Sequence, residues 1–155
     1  MFPFAGKGSL IRPEEVSDLA RRFRSDREAY EWVRDSIEYR PELRTDIWQS
    51  PRVTLELGTA DCEDAAILCA SILEARGTRA RLNYGVAGPP SAAAPMFHVW
   101  CEAGKDWHVY DPALALEFPR PELPLRGYFE ILHIYPDREV PAPIDNLFCL
   151  AEELF

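Results

Sequence analysis

The chain has 155 residues and a mass of 17.7 kDa, and 47% of the residues are hydrophobic, which suffices for one core and is too short for two; a single domain over 1–155 is expected. A formal charge of −9 would repel a phosphate backbone, and the Arg residues are scattered, so nucleic acid is excluded as a partner. No apolar run approaches the roughly 18 residues of a membrane span, and the start MFPFAGKGSLIRP lacks a secretory core, which predicts a cytoplasmic protein with no membrane partner.

Pro13 suits a first helical turn, and Val16, Leu19, Ala20 and Phe23 follow at helical spacing, predicting a helix over 13–24. Ser25 with Glu28 forms a capping-box pattern ahead of Ala29, Trp32, Val33 and Ile37, which predicts a second helix over 26–38. Residues 40–58, punctuated by Pro41 and Pro51, read as irregular. A third helix is predicted over 62–76, with Asp61 as N-cap, Asp64 at the third helical position and Gly77 as the stop. Nearly every side of it between Ala65 and Leu73 is small or apolar, so it should be central and buried.

The period then changes. Ala80, Leu82 and Tyr84 alternate with Arg79, Arg81 and Asn83, and strands are predicted over 79–86, 97–103, 106–111 and 128–135. Helices first and strands afterwards imply an α+β fold, with an antiparallel sheet packed on the central helix. Segments 88–95 and 117–127 read as surface loops, the former placed to act as a lid or specificity loop, and DNLFCLAEELF as a short amphipathic terminal helix.

The four cysteines, Cys62, Cys69, Cys101 and Cys149, show no metal-ligand spacing and are expected as free thiols. Cys62 alone lies just inside a helix N-terminus, where the helix dipole favours thiolate. The neighbouring Asp61, Glu63 and Asp64 oppose that effect, so a nearby imidazolium is required. Those three acids could suggest a cation site, but capping and dipole compensation account for them, and no metal or cofactor is expected.

A tight turn centred on Gly104 and Lys105 would set His98 directly opposite Asp111, Trp100 opposite Val109 and Glu102 opposite Trp107. Imidazole and carboxylate would then lie within hydrogen-bonding reach on one face. Carboxylate, imidazole and thiol in that order orient a base and activate a nucleophile for acyl transfer. The Cys62 backbone N–H is a natural oxyanion donor. The Trp48 indole or the Gln49 amide are candidates for the second, and Trp48 or Trp100 could touch substrate. His108 projects to the other face of its strand, and His133 lies beyond the motif; both read as structural.

The segment WQSPRVTLELGTADCEDAAILCASILEARGTRARLNYGV, with FHVWCEAGKDWHVYDPA after it, resembles the core of the transglutaminase-like superfamily of papain-type folds. In that family a Gly-Asp-Cys-Glu-Asp type motif opens the central helix, His-x-Trp lies on one strand and Asp-Pro ends the next. The resemblance covers roughly residues 10–115 and implies a triad of Cys62, His98 and Asp111; Ala60 stands where a glycine is usual. The expected activity is acyl transfer on a peptide, isopeptide or glutamine-type amide of a protein or peptide substrate, with hydrolysis favoured over cross-linking. The alternative is a non-catalytic protein-binding domain that retains the fold. The sequence leaves the oligomeric state open.

Overall fold

A computed structural model describes residues 6–41, 47–88 and 96–143. The predicted lid residues 89–95, Cys149 and the terminal helix lie outside the described residues. The helical half contains α1 (Ser17–Ala20), α2 (Asp26–Ser36), α3 (Pro51–Leu57) and α4 (Cys62–Ala75). Two short strands, β1 (Glu38–Tyr39) and β2 (Thr59–Ala60), pair in parallel. The rest of the described strands are β3 (Ala80–Ala87), β4 (Met96–Ala103), β5 (His108–Asp111), β6 (Leu116–Phe118), β7 (Tyr128–Ile134) and β8 (Glu139–Pro141). They form an antiparallel sheet in the order β6-β5-β4-β3-β7-β8. The α+β architecture is the expected one.

Helix α4 is the centre of the fold because its sequence offers no polar face: Ala65 to Leu73 are all buried, and Ile67, Leu68, Ile72 and Leu73 are fully so. Each such side chain contributes about 1.5–3 kcal/mol by leaving water. Both ends of the helix are fixed chemically. At the start, the Asp61 carboxylate accepts the Asp64 N–H at 3.1 Å while the Asp64 carboxylate accepts the Asp61 N–H at 3.3 Å, a reciprocal capping box. At the end, Gly77 takes φ 91°, and its N–H and that of Thr78 bond back to Glu74 and Leu73, the hydrogen-bond pair that closes a helix through a left-handed residue. Helix α2 begins as predicted, with Ser25 accepting the Glu28 N–H at 3.1 Å.

Two helical expectations need correction. The predicted helix over 13–24 is broken into a 3-10 turn at Pro13–Glu15 and the single turn α1. The supposedly irregular stretch 40–58 contains α3, which Ser50 caps and Gly58 ends at φ 69°. Its seven residues are too few to show helical periodicity, so only the end signals Ser50-Pro51 and Gly58 mark it.

The sheet buries both faces. Val99, Cys101, Ala103, Leu82 and Ile134 pack against α4, where Cys69 and Cys101 are buried free thiols. The opposite face carries a second cluster of Trp100, Val109, Phe118, Leu123 and Tyr128. The segment 117–127, expected to be a surface loop, supplies β6, two 3-10 turns and the buried Phe118 and Leu123 that cover this face. Gly85 allows the tight fit there, since a Cβ would lie 1.8 Å from the Phe129 carbonyl oxygen and 2.9 Å from the Trp100 ring.

The register of the β4–β5 hairpin also differs from expectation. Cys101 pairs with Tyr110, Glu102 with Val109 and Ala103 with His108, so neither Trp100–Val109 nor Glu102–Trp107 is an opposed pair. The connection runs through Gly104–Trp107 rather than a two-residue turn, with Gly104 at φ 86° and Trp107 at φ 52°. Left-handed Trp107 is held by the Arg81 guanidinium, 4.0 Å from its ring centroid, and by Arg79 at 4.9 Å. The shift is by two residues, which exchanges partners but preserves the face on which each side chain sits.

Candidate active site

Preservation of the face decides the chemistry. His98 and Asp111 are diagonal rather than opposed, and side chains of this length bridge that offset. The His98 Nε2 lies 2.7 Å from Asp111 Oδ2. Asp111 is fully buried and His98 is 6% exposed, so the pair is shielded from water. The carboxylate is held further by the Tyr128 hydroxyl, which donates to Oδ2 at 2.6 Å, and by the Leu114 N–H, which donates to Oδ1 at 3.2 Å.

Asp111 is the last residue of β5, and the ladder between β4 and β5 begins only at Cys101, so the His98 end of β4 is paired with β3 alone. The tip of α4 reaches that edge. The Cys62 sulfur lies near enough to the backbone amide of Val99, the residue next to His98, for that amide to favour the thiolate. Cys62 is half-buried, unlike the sealed Cys69 and Cys101. Its thiol also donates to Glu63 Oε2 at 3.1 Å. Burial is the largest influence on this thiol and, with the Glu63 carboxylate, pushes its pKa well up; the Val99 N–H acts in the opposite direction. The resting group is therefore the thiol rather than the thiolate.

The acids around Cys62 are spent on structure. Besides the capping box, Asp64 Oδ1 accepts the Gln49 N–H at 2.7 Å, which ties the Trp48–Gln49 segment to the helix tip. Burial raises the pKa of Asp61 to about 6 and that of Asp64 to about 7, the latter also through its bond to Asp61. Among the described residues, three potential ligand atoms converge at Glu102, Glu130 and His133. There Arg81 bonds Glu102 at 2.7 Å, and Arg120 bonds Glu102 at 2.7 Å and pairs with Glu130, so the carboxylates already have cationic partners. Burial, with the charge of Arg81, lowers the pKa of His133 to about 4, and this imidazole packs neutral against Asn83. His108 pairs with Glu117 on the other side of β5.

Trp48 is buried in the core beside α4, with the Lys7 ammonium 5.7 Å from its ring. Gln49 is partly exposed, and its side-chain oxygen accepts from Thr54 at 3.0 Å, leaving its NH2 as the end able to donate elsewhere. Trp100 differs from expectation: it has no exposed surface and does not line a cleft. It stacks beneath the His98 ring with centroids 6.2 Å apart, and its indole N–H bonds Glu102 at 3.2 Å. A cavity of about 190 Å³ opens beside the site, lined by Tyr39, Ala60, Ala65, Pro112 and Ala113 among others. The β1–β2 pairing of Tyr39 with Ala60 brings Tyr39 close enough to feel the charges of Cys62, Asp61 and Asp111, although burial is the main influence on its raised pKa.

A cysteine at the tip of a central helix, set at the edge of an antiparallel sheet that holds a buried His–Asp pair, defines a papain-like fold. The sequence profile of the Transglutaminase-like superfamily matches residues 16–112, well over half of the chain, and the protein belongs to that superfamily. Among solved structures it is similar to a provisionally assigned cysteine protease from Cytophaga hutchinsonii, with 20% identity and a TM-score of 0.64 over 84% of this chain and 47% of that one. It is also similar to LapG from Legionella pneumophila in its calcium-bound form, with 14% identity and a TM-score of 0.62 over 93% of this chain and 99% of that one. The EGTA-treated form of LapG gives 15% identity and a TM-score of 0.62. The chain thus spans about half the length of the Cytophaga structure and nearly all of the Legionella one. No curated protein sequence is matched. At these identities the structural likeness speaks for the fold alone.

The residues that sequence reasoning missed are Tyr128 and Glu63 as a direct partner of the thiol. Tyr128 lies outside every motif, and its hydroxyl meets Asp111 through the second core cluster, where its ring packs edge-on against Trp100 and Phe118.

Proposed function

We propose that the protein is a cysteine enzyme that carries out acyl transfer on a peptide, isopeptide or glutamine-type amide, with Cys62 as nucleophile, His98 as base and Asp111 as the group that orients the imidazole. The observation that carries this reading is the buried His98–Asp111 pair, with the Cys62 sulfur close enough to the amide of the very next residue to feel it. Because Asp111 takes Nε2, the other ring nitrogen, Nδ1, has no hydrogen-bond partner among the described residues and is the one available to the thiol. In the reaction the thiol proton passes to Nδ1 as sulfur attacks the amide carbonyl. The tetrahedral intermediate then expels the amine, which takes that proton, and a thioester remains. Water attacks the thioester, giving its proton to the same nitrogen; collapse frees the acid and returns the proton to sulfur.

The Cys62 N–H, at the first position of α4, is the oxyanion donor in this scheme, and the Gln49 NH2 is the candidate for the second. The cavity beside Tyr39 and Ala65 would take an apolar substrate side chain. Hydrolysis is favoured over cross-linking, since nothing in the described site selects an amine over water. One observation favours a non-catalytic reading, that of a binding domain: the thiol donates to the Glu63 carboxylate, and burial with that charge pushes its pKa up.

Iodoacetamide labelling at neutral pH with peptide mapping separates the two readings. The expected result is preferential modification of Cys62, slowed at least about 100-fold by His98→Ala, the lower end of what a positioned base contributes. Slow and uniform modification of the cysteines, indifferent to His98, would exclude an activated thiol.

A further inference from the structure

Asp111 is held by more donors than orienting an imidazole requires. Its Oδ2 receives both the His98 ring nitrogen, at 2.7 Å, and the Tyr128 hydroxyl, at 2.6 Å, while Oδ1 receives only the Leu114 N–H. A carboxylate bound by one side chain alone can turn about its Cβ–Cγ bond and carry its partner with it. Two side-chain donors converging on one oxygen from different strands fix the plane of the group. Here the imidazole arrives from β4 and the phenol from β7.

The phenol is itself immobile. Tyr128 is 3% exposed, and its ring meets Trp100 edge-on at 5.0 Å, Phe118 at 5.3 Å and the His98 ring at 6.3 Å. Trp100 is in turn held by Glu102, which Arg81 and Arg120 anchor. Phenol, indole and imidazole thus form one packed unit beneath the site.

We propose that Tyr128 is a positioning residue of the Cys62–His98–Asp111 site, its hydroxyl fixing the Asp111 carboxylate so that His98 is kept in the Nε2-protonated tautomer with Nδ1 turned to the thiol. The inference rests on the triad reading above and adds a fourth member to it. Burial and the Asp111 charge push the Tyr128 pKa up, so the phenol remains a donor at every working pH. Among the described residues, Tyr30 from α2 and Tyr39 from β1 also feel the Asp111 charge, with no hydrogen bond to it. Tyr128 is the only side chain besides His98 that bonds the carboxylate among the described residues.

The test is nitrogen-15 NMR of the His98 ring, read beside the rate of Cys62 alkylation by iodoacetamide, in the unmodified protein and in Tyr128→Phe. The unmodified protein should show one Nε2-protonated tautomer, Tyr128→Phe should show two tautomers in exchange, and alkylation should slow by about tenfold, as a displaced base would cause. Tyr110→Phe serves as control, because it removes a buried phenol from the α4 side of the sheet and should leave the His98 signals unchanged. An unaltered tautomer and rate in folded Tyr128→Phe would overturn the proposal. Should that variant not fold, the unmodified protein still decides: the Tyr128 hydroxyl and His98 Nε2 protons, bound to one oxygen, must show a mutual nuclear Overhauser effect at low temperature, and its absence overturns the proposal equally. Failure of the triad reading has a different signature, since alkylation would then be indifferent to His98→Ala and Asp111→Asn whatever Tyr128→Phe does.

Discussion

Replacing Glu63 by Gln tests how the thiol is restrained. Glu63 Oε2 accepts the Cys62 thiol proton at 3.1 Å, and after burial the Glu63 carboxylate is the largest influence raising the thiol pKa. A charge this close shifts a neighbour by about 1–3 units where it is well shielded, and the partial exposure of both groups favours the lower end. A fall of about one unit increases the thiolate fraction about tenfold at any pH below the thiol pKa. The weaker basicity of the new thiolate takes back roughly a factor of three in nucleophilicity. Alkylation of Cys62 should therefore be about threefold faster in Glu63→Gln at neutral pH, and the alkaline rise of its pH–rate profile should move to lower pH. The assay is stopped-time iodoacetamide labelling, with quantification of the Cys62 peptide by mass spectrometry. An unchanged or slower rate in a folded variant would show that the carboxylate does not restrain the sulfur.

The Asp61–Asp64 capping box has a pH signature of its own. Both carboxyls have folded-state pKa values raised from 3.8, to about 6 and about 7, so the folded protein holds protons that the unfolded chain has released. Their contribution to stability is present at low pH and is lost as pH rises from about 4 to about 7; Asp64→Asn should flatten the fall in melting temperature across that window, and an unchanged slope would contradict it. Arg120→Ala leaves buried Glu102 and Glu130 short of a cation and should cost about 3–5 kcal/mol in urea unfolding. Gly85→Ala should cost about 3 kcal/mol, because its Cβ would overlap the Phe129 carbonyl oxygen. Ser25→Ala should cost about 1 kcal/mol through loss of the α2 cap, read by the same unfolding curve.

What the sequence made legible was whatever is coded locally. Helix α4 could be read end to end because Asp61, Asp64 and Gly77 mark its limits chemically and its interior is apolar on all sides. The pairing of His98 with Asp111 was inferred from the wrong turn yet lies on the right face, because a two-residue shift conserves the alternation of a strand. The turn itself was illegible, since Trp107 owes its left-handed backbone to Arg79 and Arg81, whose approach is a tertiary event. The same reason hid the role of 117–127: three prolines read as loop chemistry, while Phe118, Leu123 and Arg120 close the far face of the sheet through contacts distant in sequence. Trp100 was a candidate to touch substrate, but as the residue two beyond His98 on the same strand face it is directed into the second core cluster.

The central claim is that one sulfur is activated by one imidazole, and acyl-enzyme trapping tests it most directly. The protein is mixed with p-nitrophenyl acetate, quenched in acid within a single turnover and mapped by mass spectrometry. The account requires one acetyl group on Cys62, absent in Cys62→Ala and formed at least about 100-fold more slowly in His98→Ala. Acetyl groups spread over lysines and several cysteines, or equal acetylation of Cys62 with and without the imidazole, would contradict it.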